Sequence, residues 1–306
     1  MTIGEGGYND AAAGVAILRR FWLAAARLGA VAGDDRHAEV VASWLASLPA
    51  PAPGDVAGNP LADFELAFAI DGSWARVGAY GDPVAMIGPS AGWFSSLDSE
   101  PAEMERLVEL GPAIDADLLA TWIESHDDTF DAGWSMRGAL DPATALGVVD
   151  DTSRRAVLVA YLAGFGDGAL LSVGRSVARG AAVGRVAIES GSAASDEDVA
   201  GVVNLLSDLG APSPSDEVLG AVLTFAGSNS IGVQLHTLVD GFTRVGVTIA
   251  SPPLSLLAEL ARLGLGDLDR VAAVQGTLDG LEPDHLCCWT TPDGERVEVA
   301  YRLAAS

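Results

Sequence analysis

The chain has 306 residues, enough to bury about three quarters of its extended surface, so small scaffolds held by disulfides or a structural metal are excluded. Hydrophobic residues make up 49% and charged residues 19%, the balance of a globular rather than a disordered chain. Against 42 carboxylates stand 17 basic residues, all of them Arg, giving a net charge of -25; this field repels polyanions, and no nucleic-acid partner is expected.

The opening stretch from Met1 to Asp10 carries Glu5 and Asp10 and no basic run, so no secretory signal is expected. No uncharged run reaches the roughly 20 residues that span a bilayer, so the expected compartment is the cytoplasm, with no membrane partner. Residues Ala11 to Leu28 and Ala38 to Leu48 have apolar positions at helical spacing and predict two N-terminal helices; Pro49 to Pro60 reads as a linker. With so few residues before it, this linker does not mark a domain boundary, and the expectation is one domain over 1-306 with 11-48 packed on it.

Strand-like runs follow at Phe64 to Ile70 and Trp74 to Tyr80, joined by a tight AspGlySer connection. Helical patterns are read at Pro101 to Leu110 and Ile114 to Ser125, and strands at Arg154 to Gly164 and Ala182 to Ser190. The segment from Ser195 to Gly210 has a capping serine, acids in its first turn and a terminating glycine, and predicts a helix. A short helix is read at Ser215 to Leu223. Ile231 to Val239 and Thr243 to Ser251 flank AspGlyPhe as a hairpin, a helix begins near Pro253, and HLCCWTT and RVEVAYRLA flank a ProAspGlyGlu turn. Hairpins separated by helices do not make the strand-helix-strand units of a parallel barrel. They predict an α+β fold in which about ten strands close into an antiparallel barrel surrounded by helices, closure removing the exposed edges of an apolar sheet.

Chemistry-bearing motifs are sparse. HDDTFD, from His126 to Asp131, has the Asp-Asp-x-x-Asp spacing of a magnesium-diphosphate site, but without a second acidic motif it is read as a solvated helix end, and no metal is expected. There is no Gly-x-Gly-x-x-Gly loop, Walker A sequence, His-Glu-x-x-His helix or Gly-x-Ser-x-Gly elbow. Cys287 and Cys288, adjacent in an apolar run, read as buried small residues. Arg placement carries more. Arg154 and Arg155 open one strand-like run, Arg185 lies in another, Arg244 begins the second strand of a hairpin, and Arg296 and Arg302 lie on the last strand. Strand periodicity directs several of these toward a common interior, where guanidinium groups make bidentate bonds to an anion.

The order of segments resembles the soluble aromatic prenyltransferases of the ABBA, or PT-barrel, family over about residues 60 to 304. The resemblance is carried by SAASDEDVAGVVNLLSDLGAPSPSDEVLG, IGVQLHTLVDGFTRVGVTIAS and GERVEVAYRLA, with FELAFAI and GDPVAMI nearer the front. It implies a ten-stranded barrel with a large central chamber, and as ligands an allylic diphosphate and an aromatic small-molecule acceptor. It also implies a diphosphate site at Arg154 or Arg155, Arg244 and Arg296, with Arg185 at a polar chamber position and Tyr301 near a family aromatic. Magnesium-using members carry Asp in a segment like FELAFAI where this chain has Ala67, which implies metal-independent transfer without a cofactor. Leu235 or His236 falls near a family Tyr that contacts the diphosphate. Phe68, Trp74, Tyr80 and Trp289 are the expected chamber walls, and His236 is a candidate relay for the aromatic proton. Two other readings stand beside transfer: the same barrel performing a cyclisation or isomerisation of a natural-product intermediate, and a non-enzymatic binder of hydrophobic ligands or of a protein partner.

Overall fold

The computed structural model describes Trp22 and residues 35-49, 61-97, 101-114, 116-126, 129-138, 140-165, 169-177, 183-190, 194-226, 229-278 and 282-304. The expected helix at Ala11 to Leu28 lies, apart from Trp22, outside them, as does the linker between Pro49 and Pro60.

Ten strands form the body: β1 (Leu61–Ala69), β2 (Trp74–Gly81), β3 (Leu118–His126), β4 (Thr129–Gly138), β5 (Ala169–Ser176), β6 (Gly184–Ser190), β7 (Ile231–Thr237), β8 (Phe242–Ala250), β9 (His285–Thr291) and β10 (Gly294–Ala304). Each pairs antiparallel with the next, and β10 returns to β1 to close the barrel. Helix α1 (Asp35–Ser47) precedes the barrel. Helices α2 (Pro83–Ser96) and α3 (Pro101–Ala113) join β2 to β3, and α4 (Pro142–Ala145) and α5 (Thr152–Phe165) join β4 to β5. Helices α6 (Asp196–Asp208) and α7 (Asp216–Ala226) join β6 to β7, and α8 (Leu254–Arg262) and α9 (Leu268–Thr277) join β8 to β9. The short hairpin connections therefore gather at one end of the barrel and the helical crossings at the other. Among the described residues no helix is long and apolar enough to cross a membrane.

Period-two alternation sorts the strands into two chemically distinct faces. In β2, Ala75, Val77 and Ala79 point outward and are fully buried beneath the helices, while Trp74, Arg76, Gly78 and Tyr80 alternate with them toward the lumen. In β6, Val186 and Ile188 face out and Arg185, Ala187 and Glu189 face in; in β10, Val297, Val299 and Tyr301 face out and Glu298, Ala300 and Arg302 face in. The apolar core is thus the shell between sheet and helices, and the polar residues are inside the barrel. The outer layer has its own polar fasteners. Trp44 on α1 donates from Nε1 to Thr121 Oγ1 on β3 at 2.9 Å. Arg175, outward on β5, is 1% exposed; it pairs with Glu103 of α3 and Asp150 and donates to the Val148 carbonyl at 2.6 Å. Helix α6 starts with a capping box in which Ser195 and Asp198 satisfy each other's backbone N–H groups, as its sequence predicts.

Three sequence expectations are corrected. Residues from Leu118 in the stretch read as a helix at Ile114 to Ser125 form β3, because Leu119, Thr121 and Ile123 face the helices while Ala120, Trp122 and Glu124 face the lumen, a strand alternation masked by unbroken apolarity. The Arg154 to Gly164 run is helix α5, not a strand: Leu158 and Leu162 form a buried i, i+4 stripe, and Asp151 accepts from the Ser153 and Arg154 backbone N–H groups at its start. HDDTFD is a hairpin corner rather than a helix end, with His126 ending β3 and Asp131 in β4; Asp127 and Asp128 lie outside the described residues.

Candidate active site

Three buried carboxylates surround one guanidinium in the middle of the lumen. Arg76 donates from Nη2 to Glu298 Oε1 at 2.9 Å and to Glu65 Oε1 at 3.1 Å, and from Nη1 to Glu124 Oε2 at 3.3 Å. Trp74 Nε1 donates to Glu298 Oε2 at 2.9 Å. The side chains of Glu124 and Glu298 are fully shielded from solvent. Such a network is tolerated only because each charge meets its opposite; isolated, any one of them would carry a desolvation cost of several kcal/mol (~). It also fills the barrel. The half-open space beside Arg76, bordered by Tyr80, Trp122, Arg137 and Arg302, is about 90 Å³, smaller than the large central chamber that the resemblance implies.

Toward the hairpin end the same carboxylates meet a second layer of cations. Arg244 on β8 pairs with Glu124 Oε1, to which His126 Nε2 also lies 3.0 Å away. Arg185 on β6 binds Asp131 at 3.0 Å and approaches Glu124 Oε2 at 3.6 Å. Asp131 accepts in addition from Ser176 Oγ at 2.6 Å. Aromatic faces support both guanidinium groups: Arg185 lies 3.6 Å from the centroid of Trp122, and Arg244 lies 4.9 and 5.4 Å from those of Trp74 and Trp289. Two glycines make room for these rings, since a Cβ at Gly133 would collide with Trp122 and one at Gly246 would collide with Cys287 and Trp289. Arg185 Nε and Arg244 Nη1 are buried without a hydrogen-bond partner among the described residues.

Above this layer opens a pocket of about 470 Å³, lined by Trp74, His126, Asp131, Arg185, His236, Arg244, Thr291 and Arg296. At its rim, Arg296 pairs with Asp71 of the first hairpin turn at 2.9 Å. The fields within the site are strong. Burial works against ionisation of Glu124, yet Arg244 and Arg185 hold its carboxyl well below the usual range. Burial, reinforced by Arg185 and Arg244, depresses His236 well below an ordinary histidine, leaving a neutral imidazole edge-on to Trp289 at 4.9 Å. At the opposite end Tyr80 is pushed up by burial and by Glu65, to which its hydroxyl donates at 3.2 Å.

The residues singled out in the sequence therefore separate into groups. Trp74, Arg185, His236, Arg244 and Arg296 share the hairpin-end pocket, with Trp289 directly behind Arg244 and His236. Tyr80 sits toward the other end. Phe68 and Tyr301 face away from the lumen and stack on each other beneath the helices, with centroids 6.4 Å apart, because they share the parity of the outward valines. Arg154 and Arg155 belong to α5. Arg154 donates to the carbonyls of Leu238 and Gly241 and covers the Phe242 ring, fastening the β7-β8 turn; Arg155 donates to the Val149 carbonyl. Missed in the sequence were Arg76, Trp122, Glu124 and Glu298. Arg76 and Glu298 were within reach, since they alternate with Trp74 and Tyr80 and with Arg296 and Arg302; Trp122 and Glu124 were hidden by the helical reading of their segment.

No family model matches the sequence, and no curated protein does. Among solved structures, AnaPT from Neosartorya fischeri matches with a TM-score of 0.53 at 10% identity, over 93% of this chain and 91% of that one. At that identity the likeness is one of fold, and with the closed ten-stranded barrel and its helical shell it identifies the chain as having the ABBA, or PT-barrel, architecture.

Proposed function

We propose that the protein transfers an allylic prenyl group from a diphosphate donor to a small aromatic acceptor, using the hairpin-end pocket. The observation that carries this reading is the meeting of Arg185, Arg244 and Arg296, from three different strands, in one pocket with tryptophan faces behind the first two. The likeness in fold to AnaPT, an aromatic prenyltransferase, supports it.

In this mechanism the carbon-oxygen bond of the donor breaks and its electron pair leaves with the diphosphate, whose growing charge the guanidinium groups stabilise. The allylic cation is sheltered by the Trp74 and Trp289 faces, which attract positive charge and exclude water. A ring carbon of the acceptor attacks that cation, forming the new carbon-carbon bond, and the proton on the attacked carbon then leaves. His236, kept neutral beside the pocket, has a lone pair to receive it. Neutralisation of the leaving group is assigned to arginine, so the proposal calls for no metal or other cofactor.

A second reading has its own support. The carboxylates of Glu65, Glu124 and Glu298 make the lumen more anionic than a site built only for diphosphate requires, which favours a barrel turned to cyclisation or isomerisation of another hydrophobic intermediate. Dimethylallyl and geranyl diphosphates, incubated with phenolic and indolic acceptors, separate the two. Transfer is expected as a product heavier by one prenyl group together with released pyrophosphate. Absence of both transfer and donor binding overturns the first reading and leaves the second.

A further inference from the structure

Glu124 lies where the cations of the lumen meet. Its Oε1 takes Arg244 and His126, and its Oε2 faces Arg76 at 3.3 Å and Arg185 at 3.6 Å, with the whole side chain out of solvent. These cations depend on it unequally. Arg76 retains Glu65 and Glu298 if Glu124 is taken away, and Arg185 retains Asp131. Arg244 has no second carboxylate partner among the described residues; its remaining supports are the Trp74 and Trp289 rings, and its Nη1 is buried without a hydrogen-bond partner. Arg244 also lines the hairpin-end pocket. A fully shielded anion directly below that pocket attracts the same guanidinium that an incoming anion needs, and it repels that anion through a medium that screens poorly.

We propose that Glu124 is a built-in competitor for Arg244: a positioning residue that holds this guanidinium in the empty barrel and sets how tightly the pocket binds a diphosphate group. The inference rests on the reading that the pocket takes a diphosphate donor. It gives Glu124 two opposed effects. The carboxylate keeps Arg244 beside the Trp74 and Trp289 rings in a defined place, and it weakens the ligand that displaces it. A purely structural carboxylate would behave differently, because damage to the site weakens ligand binding, whereas removal of a competing and repelling charge strengthens it.

The test is calorimetric titration of the full chain with inorganic pyrophosphate, comparing wild type with Glu124→Gln, which keeps the shape and a hydrogen-bonding oxygen while removing the charge. Binding is expected to tighten by about tenfold or more, a modest share of the attraction between unit charges a few ångströms apart in a partly desolvated site. In the transfer assay the donor KM falls rather than kcat rising. A folded Glu124→Gln protein that binds pyrophosphate equally or more weakly overturns the proposal. Should that variant fail to fold, Glu124→Asp, which withdraws the carboxylate from Arg244 by one methylene and keeps its charge, reads the same competition; tighter pyrophosphate binding supports the inference and unchanged or weaker binding overturns it. The two levels fail separately. Wild-type prenyl transfer without a gain in Glu124→Gln removes only the role of Glu124, whereas a gain in pyrophosphate binding without transfer in either protein removes the transferase reading and leaves the competition intact.

Discussion

The two ends of the barrel are built from similar side chains and do different things with them. At the hairpin end, Arg185 and Arg244 are drawn together over one buried carboxylate, backed by tryptophan faces, beneath a pocket of about 470 Å³. At the helical end, Arg302 reaches Asp284 at 3.5 Å, and Asp284 also lies 3.1 Å from His285 Nδ1, while Tyr80 is tied to Glu65. A pocket of about 440 Å³ lies against Asp284 and Arg302 there, and the lumen between the two ends narrows to about 90 Å³ beside Arg76. Short turns frame the pocket at the first end, and eight strand ends running into helices frame the pocket at the second. Neither arginine nor room alone locates an anion site; what distinguishes the hairpin end is a pair of buried guanidinium groups with aromatic backing.

The largest effect is expected where the two ends join. Arg76→Ala would strand Glu65 and Glu298 without their shared cation, while Glu124 keeps Arg244, and would cost about 3-5 kcal/mol of stability, checked by chemical denaturation. A loss under about 1 kcal/mol would mean that the central network does not hold the ends together. Next comes the difference between the ends themselves. Arg244→Ala is expected to lower kcat/KM for the donor about 100-fold through lost charge-assisted bonds, while Arg302→Ala stays within about threefold. Equal losses in steady-state kinetics would erase the distinction.

A smaller effect separates the ends by pH. His236, at the hairpin end, has a folded pKa depressed below the ordinary 6.5, so the unfolded chain binds its proton first and stability falls as pH drops below that value. The slope is at most about 1.4 kcal/mol per pH unit. His285, at the other end, is raised: burial opposes its charge, but its bond to Asp284 and the charge of Glu65 prevail. Its contribution is complete below 6.5 and lost as pH rises through the folded value, so it adds no slope on the acid side. Glu65 and Glu124, both lowered, begin to weaken the fold only as pH falls below about 4.5. Denaturation curves between these limits should therefore flatten in His236→Asn and remain sloped in His285→Asn. The smallest change is expected outside the lumen. Tyr301→Phe removes a buried hydroxyl that has no hydrogen-bond partner among the described residues, so stability should move by less than about 1 kcal/mol and donor KM not at all.

The sequence made the barrel legible because its turns and alternation are local. ProAspGlyGlu and AspGlySer mark hairpins without reference to anything distant, and RVEVAYRLA separates its faces by parity alone. Where both faces of a strand are apolar near its start, as in LLATWIE of β3, parity fades and the run passes for a helix. That loss hid Glu124, the residue through which the site is organised. Arg154 and Arg155 show the reverse error: two arginines ahead of an apolar run suggested a strand entering the lumen, whereas the i, i+4 spacing of Leu158 and Leu162 makes a helix whose arginines secure neighbouring turns. Tyr301 and Phe68 share the parity of the outward apolar residues of their strands, which places them on the helix-covered face and not at the chamber where they are expected. The meeting of Arg185 with Arg244 depends on β6 and β8 closing around the same lumen, a long-range fact that no single segment contains.

The most direct test of the central claim is a crystal structure of the protein with pyrophosphate bound. The account predicts pyrophosphate oxygens within hydrogen-bond distance of Arg185 and Arg244 at the hairpin end, with Arg244 drawn away from Glu124. Pyrophosphate seated instead beside Arg137 and Arg302, or density absent from both ends at saturating ligand, would contradict it.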